Sequence, residues 1–372
     1  MREFDFSQSL RGVGVVLRAE LNVPLRGGRI TDAFRIRAAL PTIQKLSKAG
    51  ARTVVIAHIG RENTDTLRPV FEAIKEMTHV PLSFAETITG ASVCRAVEAQ
   101  APGEVLLLEN IRRHPGETRN SESLAEILAG YGSLYVNDAF PASHRAHASI
   151  VGIPRFIPGF AGPAFMNEFN GTLPALNPPS PSLAIVGGAK FATKEPLVRT
   201  LLEKYDHVCV GGALAHDFFL AQGFEIGKSI ASRAVDVSGF LEKKNLILPT
   251  DVVVRNPHGV ETKNVDEVLG SDTILDIGPE SLEKLKSLIM DARFVLWNGP
   301  LGNFEEGFEE GTEELARIIA KSAGESVVGG GDTIAAIEKL KLNDRFTHVS
   351  TAGGAMLQFI AEGTLPGIEA LG

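Results

Sequence analysis

The sequence predicts two α/β domains, each a parallel sheet with helices on both faces, and three observations support this. In the first half, apolar runs alternate with helical patterns, as in chains that form parallel sheets. In the second half, five apolar runs lead directly into glycine. Between the halves, GTLPALNPPSPS (171–182) is too rich in Pro for a helix or a central strand and is expected to be the hinge or linker.

The first half alternates strand and helix in chain order. The expected strands are GVGVVLRAELNV (12–23), ARTVVIAHIG (51–60), GEVLLLENIR (103–112) and SLYVNDAF (133–140). The helical patterns between them are RIRAALPTIQKLSKAG (35–50), LRPVFEAIKEM (67–77) and SLAEILAGYG (123–132). Residues 1–170 are therefore expected to form the first domain.

The second half repeats this order, and its strands end in glycine. The segments are SLAIVGGAK (182–190), HVCVGGALA (207–215), RFVLWNGPLG (293–302), ESVVGGGDT (325–333) and HVSTAGGA (348–355). Such a strand lets the backbone approach a ligand, with helix N–H groups behind it. Several at one sheet edge predict a phosphate site in a second domain (183–355). The tail 356–372 is expected to be helical to Glu362, then coil, and to pack back on the first domain.

Length and composition limit the class of protein. With 372 residues, 44% of them apolar, the chain can form two hydrophobic cores and is expected to fold. The N-terminus lacks a signal-peptide layout and no window holds eighteen uninterrupted apolar residues, so a cytoplasmic protein without a membrane partner is predicted. Cys94 and Cys209 lie in apolar surroundings, which favours buried thiols in a reducing compartment.

The net charge of −8 is unevenly distributed. Residues 1–170 contain 19 Lys and Arg against 17 Asp and Glu, whereas residues 171–372 contain 18 against 28. Nucleic-acid binding rests on many basic side chains, so this acidic chain is not expected to bind nucleic acid, and any anion site should be local. The contrast between the halves predicts two domains with two ligands.

Basic side chains cluster where the first-half strands end. Positions beyond the carboxyl ends of parallel strands face the ligand crevice, and the Arg fork matches carboxylate and phosphate oxygens. Surface exposure is the alternative for any single Arg. We predict a basic pocket, in which His114 and His147 are expected to be structural or surface groups. The candidates are Arg35, His58, Arg61, Arg112, His114, His144, Arg145 and His147.

Other catalytic motifs do not occur in the sequence. The histidines lack HExxH spacing, no CxxC pair is present and no serine lies in GxSxG, so the markers of zinc hydrolysis and acyl-enzyme chemistry are missing. GFEIGKS (223–229) resembles a P-loop but has three residues between its glycines where four are needed, and it follows a helical pattern. It is expected to be a helix C-cap and turn.

Two glycine-rich segments suit a nucleotide. GGAKFATK (187–194) offers Lys190 and Lys194 after a Gly–Gly turn, and GGGDT (329–333) is expected to open a helix. Helix N–H groups hold phosphates, a lysine ammonium neutralises the phosphoryl group in transfer, and an Asp at the same edge can bind Mg²⁺. Each segment alone is equally compatible with close packing, but both at one sheet edge favour a nucleotide site.

Taken in order, these segments resemble the motifs of the phosphoglycerate kinase family over nearly the whole chain. The matches are ELNVPL (20–25), RIRAALPTI (35–43), HIGR (58–61), LLLENIR (106–112), VNDAF (136–140), HRAHAS (144–149), IVGGAK (185–190) with Lys194, AQGFEIGKS (221–229), LDIGP (275–279), LWNGPLGNFE (296–305), GGGDT (329–333), STAGGA (350–355) and LPG (365–367). The resemblance implies two Rossmann-like domains joined by a hinge. It implies a monomeric enzyme that moves a phosphoryl group between 1,3-bisphosphoglycerate and Mg·ADP, giving 3-phosphoglycerate and Mg·ATP.

The resemblance also implies functional residues. Phosphoglycerate contacts fall on Glu20, Leu21, Asn22, Arg35, His58, Ile59, Gly60, Arg61, Arg112 and Arg145. Nucleotide contacts fall on Lys190, Lys194, Asn298, Glu305, Gly330, Gly331, Asp332 and Thr333, with Glu305 on the ribose hydroxyls and Asp332 on Mg²⁺. Because the attacking ADP oxygen is already ionised, alignment and charge neutralisation replace a general base. Stabilisation of the transferring group is assigned to Arg35, Lys194, Gly331 and Gly353.

The sequence departs from the family pattern at several positions. Glu20 replaces Asp where the hydroxyl end of the substrate is met, at an expected cost of about 1–3 kcal/mol in affinity if the pocket does not adjust. Ala352 replaces a glycine, and we expect its methyl group to be tolerated because the local φ is negative. The other departures are Glu62, Pro141, Ala142, Ala213 and Asn303.

Two alternatives are carried forward. A non-catalytic paralogue would bind phosphoglycerate or nucleotide as a sensor or scaffold, without transfer. Retention of Arg35, Arg145, Lys194 and Asp332 argues against it. A nicotinamide dehydrogenase would need GxGxxG after the first strand, whereas LNVPLRGG follows it here.

Overall fold

The computed structural model describes residues 1–60, 62, 64–232 and 236–372. Within these residues the chain forms two compact units, Met1–Phe169 together with Thr364–Gly372, and Asn170–Gly363. No helix in this described part is long and apolar enough to cross a bilayer. Each unit contains a six-stranded sheet whose neighbouring strands are all parallel, which confirms the expected fold class.

The first unit alternates strands and helices as predicted. In chain order its elements are β1 (Gly14–Ala19), β2 (Leu25–Arg26), β3 (Arg29–Ile30), α1 (Phe34–Lys48), β4 (Arg52–Ile56), α2 (Arg68–Met77), β5 (Leu82–Ala85), α3 (Ala91–Glu98), β6 (Val105–Leu108), α4 (Glu122–Ala129), β7 (Leu134–Asp138) and β8 (Gly159–Ala161). β2 and β3 form a hairpin, and the sheet order is β5-β6-β4-β1-β7-β8. After β1 the chain continues to β4 on one side of that strand, and it later adds β7 on the opposite side, so the strand order reverses at β1. Parallel sheets bind ligands at such a switch point.

The core of the first unit follows from these sequence patterns. β1 is buried from Val15 to Ala19, as expected of a central strand with helices on both faces. Helix α1 turns Ile36, Leu40 and Ile43 toward the sheet at helical spacing, and all three are buried in one cluster with the strand. The buried sheet is therefore a rigid base for the loops at its carboxyl edge.

The boundary between the units differs from the linker expected over 171–182. Helix α5 (Pro163–Thr172) runs across it, and a 3₁₀ helix, Leu173–Leu176, follows. Pro174 is accommodated because it lies in the first turn, where a missing N–H breaks no hydrogen bond. The segment from Asn177 to Pro181 carries no helix or strand.

The second unit contains the five glycine-ended strands in one sheet. Its strands are β9 (Ser182–Val186), β10 (His207–Val210), β11 (Leu246–Ile247), β12 (Asp251–Asn256), β13 (Gly259–Asn264), β14 (Thr273–Ile277), β15 (Phe294–Asn298), β16 (Glu325–Gly329) and β17 (His348–Ser350). Its helices are α6 (Phe191–Lys204), α7 (Leu214–Ala221), α8 (Ser238–Leu241), α9 (Pro279–Asp291), α10 (Glu310–Ile319), α11 (Gly331–Lys339) and α12 (Gly354–Glu362). The parallel order is β11-β10-β9-β15-β16-β17, with its switch point between β9 and β15.

Two features of the second half differ from the predicted alternation of strands and helices. β12, β13 and β14 form a separate antiparallel sheet in the order β13-β12-β14. In addition, only Thr364–Gly372 of the expected tail belongs to the first unit, because α12 packs on α6 within the second. The last residues are not all coil, since Pro366–Glu369 forms a short helix, α13.

Candidate active site

Glu20, Asn22 and Arg35 meet at the carboxyl edge of the first sheet. Arg35 Nη1 donates to Glu20 Oε1 at 3.2 Å and to the Asn22 carbonyl oxygen at 2.7 Å. Asn22 Oδ1 accepts from Gly60 N at 2.9 Å, which ties the loop after β1 to the loop after β4. Within the described residues, the other Glu20 oxygen is buried without a hydrogen-bond partner. The carboxylate of Glu20 is thus held by a salt bridge to Arg35.

His58 is held neutral beneath this loop. It is buried, and Arg18 Nη2 lies 3.0 Å from its Nδ1. Burial first, and then the charges of Arg18, Arg112, Arg145 and Arg35, lower the pKa of His58 well below its usual value. An uncharged imidazole beside several guanidinium groups can accept or donate a hydrogen bond without adding to their mutual repulsion.

Arg112 and Arg145 complete a dense cationic cluster. Arg112 Nη1 donates to the Gly60 carbonyl oxygen, and burial together with Arg145 and Arg18 lowers the pKa of Arg112. Arg145 Nε donates to His144 Nε2 at 3.1 Å, and burial and Arg145 lower the pKa of His144 to about 4. Neighbouring guanidinium groups that lower the pKa of Arg112 favour an anionic ligand between them.

Two predicted contacts of this pocket take a different form. The side chains of Leu21 and Ile59 lie in the hydrophobic core, so only their backbones could face a ligand. The backbone of Ile59 is already bonded to Asn110, whose side chain accepts from its N–H and donates to its carbonyl. Arg61 lies outside the described residues.

A buried network behind the pocket was not predicted. Arg18, the next-to-last residue of β1, is 1% exposed and donates to Ser149 Oγ at 3.0 Å. Ser149 in turn donates from N and Oγ to Glu117, at 2.9 and 2.6 Å, and His147 Nδ1 lies 3.6 Å from the same carboxylate. An arginine in the apolar run GVVLRA is the one sequence signal that points to this network.

The remaining pocket histidines are structural, as expected. His147 pairs with the buried Glu117 carboxylate. His114 Nδ1 accepts from Gly116 N at 3.0 Å and so closes its own turn.

Lys194 lies at the switch point of the second sheet. Its ammonium donates to the Gly187 carbonyl oxygen at 2.6 Å and to Asn298 Oδ1 at 2.9 Å. Burial lowers the pKa of Lys194 to about 8, and the nearby charge of Asp332 opposes that shift. Lys190, at the N-cap of α6, is exposed. The two predicted lysines therefore occupy different environments: Lys194 is fixed and Lys190 is free to reach a ligand.

The glycine-rich helix starts have the conformations that only glycine adopts readily. Gly330 has φ +106° before α11, and Gly353 has φ +56° before α12. Thr333 Oγ1 accepts from Gly299 N at 3.0 Å, which joins α11 to the end of β15. Ala352 is not among the described residues with positive φ, so its methyl group causes no backbone strain.

A cavity of about 490 Å³ opens beside these helix starts. Gly188, Gly212 and Ala213 of the parallel sheet's loops line it, together with Thr273–Ile277 of the antiparallel sheet. Glu305 and Asp332 also line it. The antiparallel sheet thus contributes to a site that was predicted only at the glycine-rich edge.

The carboxylate of Asp332, at this edge of the sheet, is available to a cation. Across the residues that the structure describes, no three His, Cys, Asp or Glu side chains form a cluster that could hold a metal ion by themselves. Asp332, exposed in the first turn of α11, offers a single carboxylate to the cavity. That arrangement fits Mg²⁺, which binds one or two carboxylates together with substrate phosphates.

The comparisons with known proteins all match phosphoglycerate kinases. The phosphoglycerate kinase family model matches residues 5–363. A phosphoglycerate kinase of Methylorubrum populi is 42% identical over 392 aligned residues, covering 100% of this chain and 98% of that protein, and one of Leptospira biflexa is 38% identical over 98% of this chain and 96% of that protein. The solved structure of phosphoglycerate kinase from Coxiella burnetii is 37% identical with a TM-score of 0.85, covering 98% and 97% of the two chains. That from Pyrococcus horikoshii is 31% identical with a TM-score of 0.87, covering 100% and 98%.

Proposed function

The chain belongs to the phosphoglycerate kinase family, and we propose how its residues divide the work of phosphoryl transfer between 1,3-bisphosphoglycerate and ADP. It is a phosphotransferase with a carboxyl group as acceptor, and its relatives give no support to a sensor or scaffold role.

The first unit is proposed to bind the phosphoglycerate. The observation that carries this is the cluster of Arg35, Arg112 and Arg145 around the neutral His58, which offers several forked donors for one phosphate and one carboxylate. The unpaired oxygen of Glu20 is suited to the substrate hydroxyl, because it lacks a hydrogen-bond donor among the described residues. Asn22, Gly60 and Arg61, the last outside the described residues, are assigned to binding of the same substrate.

The second unit is proposed to bind the nucleotide. The purine and ribose are assigned to the 490 Å³ cavity, with Glu305 accepting from the ribose hydroxyls. The phosphates are assigned to Lys190, Lys194 and the helix starts at Gly331 and Gly353, where backbone N–H groups and the helix dipole favour negative charge. Gly330, Thr333 and Asn298 shape this edge through close backbone approach and hydrogen bonds.

Transfer requires positioning and charge neutralisation. An ADP oxygen, ionised at neutral pH, attacks the acyl phosphate, and the carboxylate of 3-phosphoglycerate leaves without needing a proton. Lys194, Arg35 and the helix starts at Gly331 and Gly353 are proposed to stabilise the charge on the transferring group. When bound, Mg²⁺ neutralises the nucleotide phosphates, with Asp332 as its protein ligand. Because the substrates are assigned to different units, we propose a hinged closure in each cycle.

Partners beyond the two substrates are not proposed. The acidic net charge disfavours nucleic acid. A cytoplasmic monomer is the proposed state, in keeping with the family.

Binding of each substrate by itself tests the division of labour. In isothermal titration calorimetry, Arg112→Ala should weaken 3-phosphoglycerate binding at least tenfold and leave ADP binding unchanged, since one to two charge-assisted hydrogen bonds are lost. Glu305→Gln should weaken ADP binding and leave 3-phosphoglycerate binding unchanged. If either variant weakens both ligands equally, the assignment of one substrate to each unit is wrong.

A further inference from the structure

The cavity of the second unit contains a buried carboxylate that the proposed contacts do not use. Asp276, near the end of β14, lines the cavity and is 5% exposed. Its Oδ1 accepts from Ile277 N at 2.8 Å, and its Oδ2 accepts from Gly311 N at 2.9 Å. Gly311 lies in the first turn of α10. The carboxylate therefore joins the antiparallel sheet to this helix.

Two glycines are packed directly against this carboxylate. A Cβ atom added to Gly302 would lie 2.5 Å from Asp276 Oδ1, and one added to Gly311 would lie 2.4 Å from it. Such distances leave no room for a side chain, so both backbones are fitted to the carboxylate. Gly302 begins the turn that carries the 3₁₀ helix Phe304–Glu306, and Glu305 belongs to that helix.

The same turn is anchored to β14 by its backbone. Asn303 N donates to the Leu275 carbonyl oxygen at 2.7 Å, and Leu301 N donates to Thr312 Oγ1 at 3.0 Å. Asp276 is next to both of these hydrogen bonds. It directly follows Leu275, and it accepts a hydrogen bond from Gly311, the residue before Thr312. The turn 301–308 is thus anchored by two hydrogen bonds, and Gly302 within it packs against the carboxylate of Asp276.

We propose that Asp276 is a positioning residue for the nucleotide: its carboxylate fixes turn 301–308, and with it Glu305, against the cavity. The inference rests on the proposed placement of the nucleotide in that cavity. Asp276 is assigned no contact with either reacting group. Its loss should therefore weaken nucleotide binding and leave the chemical step and phosphoglycerate binding unchanged.

The protonation state of Asp276 gives a second readout. Both oxygens are acceptors, so a bound proton weakens one of the two hydrogen bonds. Burial raises the pKa of Asp276 to about 6, the bonds from Gly311 and Ile277 oppose the shift, and the charge of Glu310 adds to it. The other charged or titratable groups lining the cavity are His216, Lys228, Glu305, Glu306 and Asp332. A raised pKa means that Asp276 gains its proton as the pH falls through about 6, and ADP affinity should fall with it.

The test compares wild type and Asp276→Asn in steady-state ATP formation. Near neutral pH the variant should show a KM for ADP raised roughly tenfold, with kcat and the KM for 1,3-bisphosphoglycerate changed less than about twofold. On acidification, the KM for ADP should rise more steeply in wild type than in the variant. ADP's own titration is common to both enzymes, so the difference isolates Asp276. A loss confined to kcat, or the same acid dependence in both enzymes, would overturn the proposal.

Two further variants keep the result interpretable. Glu310→Gln removes a charge that adds to the effect of burial on the pKa of Asp276, so it should move the acid rise in the KM for ADP modestly to lower pH, and this test remains available even if Asp276→Asn does not fold. If the midpoint of the acid rise in the KM for ADP lies at the same pH in Glu310→Gln as in wild type, the proposal is contradicted. Glu305→Gln tests the underlying placement: if it leaves ADP affinity intact, the nucleotide site itself is misassigned. If it weakens ADP while the other two variants have no effect, the role of Asp276 alone is refuted.

Discussion

The ammonium nitrogen of Lys194 lies 2.9 Å from the side-chain oxygen of Asn298. This hydrogen bond joins the first turn of α6 to the end of β15, across the switch point of the second sheet. The second acceptor of the same ammonium is the carbonyl oxygen of Gly187. Because neither acceptor is a carboxylate, the charge of Lys194 is held in place for an anionic ligand.

The first prediction concerns alkaline pH. Burial lowers the pKa of Lys194 to about 8, so the free enzyme loses this charge as the pH rises through that value. The kcat/KM for ADP, which reports groups of the free enzyme, should fall above about pH 8. Lys194→Arg, whose guanidinium stays charged, should be slower but should lack this alkaline limb. An identical limb in the variant would assign the titration to another group.

A matched pair of substitutions tests the glycine-rich start of α12. Gly353 has φ +56°, whereas Ala352 is not in the left-handed region. Gly353→Ala should therefore cost about 1–3 kcal/mol in strain, measured by urea unfolding, and should reduce kcat by displacing the N–H groups proposed to face the phosphates. Ala352→Gly should change kcat less than about twofold. A large gain in turnover from Ala352→Gly would show that the methyl group does obstruct the site.

The buried network behind the pocket predicts acid-dependent stability. Burial alone would raise the pKa of Glu117, but hydrogen bonds from His147 and Ser149 and the charge of Arg18 lower it below its ordinary value. A carboxylate with a lowered folded-state pKa stabilises fully above its unfolded pKa of roughly 4.3, and this contribution is lost as the pH falls through the folded value.

Glu117→Gln should accordingly reduce the free energy of unfolding by about 3 kcal/mol near neutral pH, because it leaves Arg18 buried without its counter-charge. The difference from wild type should shrink as the pH falls below 4. Denaturant unfolding at several pH values measures both the loss in free energy of unfolding and its dependence on pH. A difference that does not depend on pH would show that the charge of Glu117 is not what stabilises the network.

The salt bridge between Glu20 and Arg35 predicts a substrate-specific effect. Glu20→Gln removes the carboxylate that holds Arg35 at 3.2 Å, so the KM for 3-phosphoglycerate should rise roughly tenfold while the KM for ATP stays unchanged. Asp32→Asn is the matched control, because its ion pair with Arg37 is exposed at 3.8 Å and should contribute little. Equal effects of the two variants would remove any special role for Glu20.

Much of the fold could be predicted because the apolar runs are long and end at glycine. The five glycine-ended runs are β9, β10, β15, β16 and β17, and they are neighbours in one sheet. The P-loop-like GFEIGKS is a helix end and turn, as expected, with α7 ending at Ala221 and Gly223 at φ +87°. Local sequence determined these elements, so local patterns were sufficient to find them.

The parts that were missed depend on contacts between distant residues. Five of the six residues of β13 are exposed and the sixth is a partly buried lysine, so GVETKN has little apolar alternation to signal a strand, and its pairing with β12 determines its conformation. Arg18 is charged but buried, and its side-chain partners His58 and Ser149 lie 40 and 131 residues away along the chain. Asp276 likewise reads as one residue of a strand until its partner Gly311 is known.

The most direct test of the account is ATP formation from 1,3-bisphosphoglycerate and Mg·ADP by wild type and Lys194→Ala, with the dissociation constant of ADP measured in parallel. If Lys194 acts on the transferring group, kcat should fall by at least a hundredfold while ADP affinity falls less than about tenfold. Equal losses in kcat and in ADP affinity would show that Lys194 binds the nucleotide without stabilising the transition state, and would contradict the proposed mechanism.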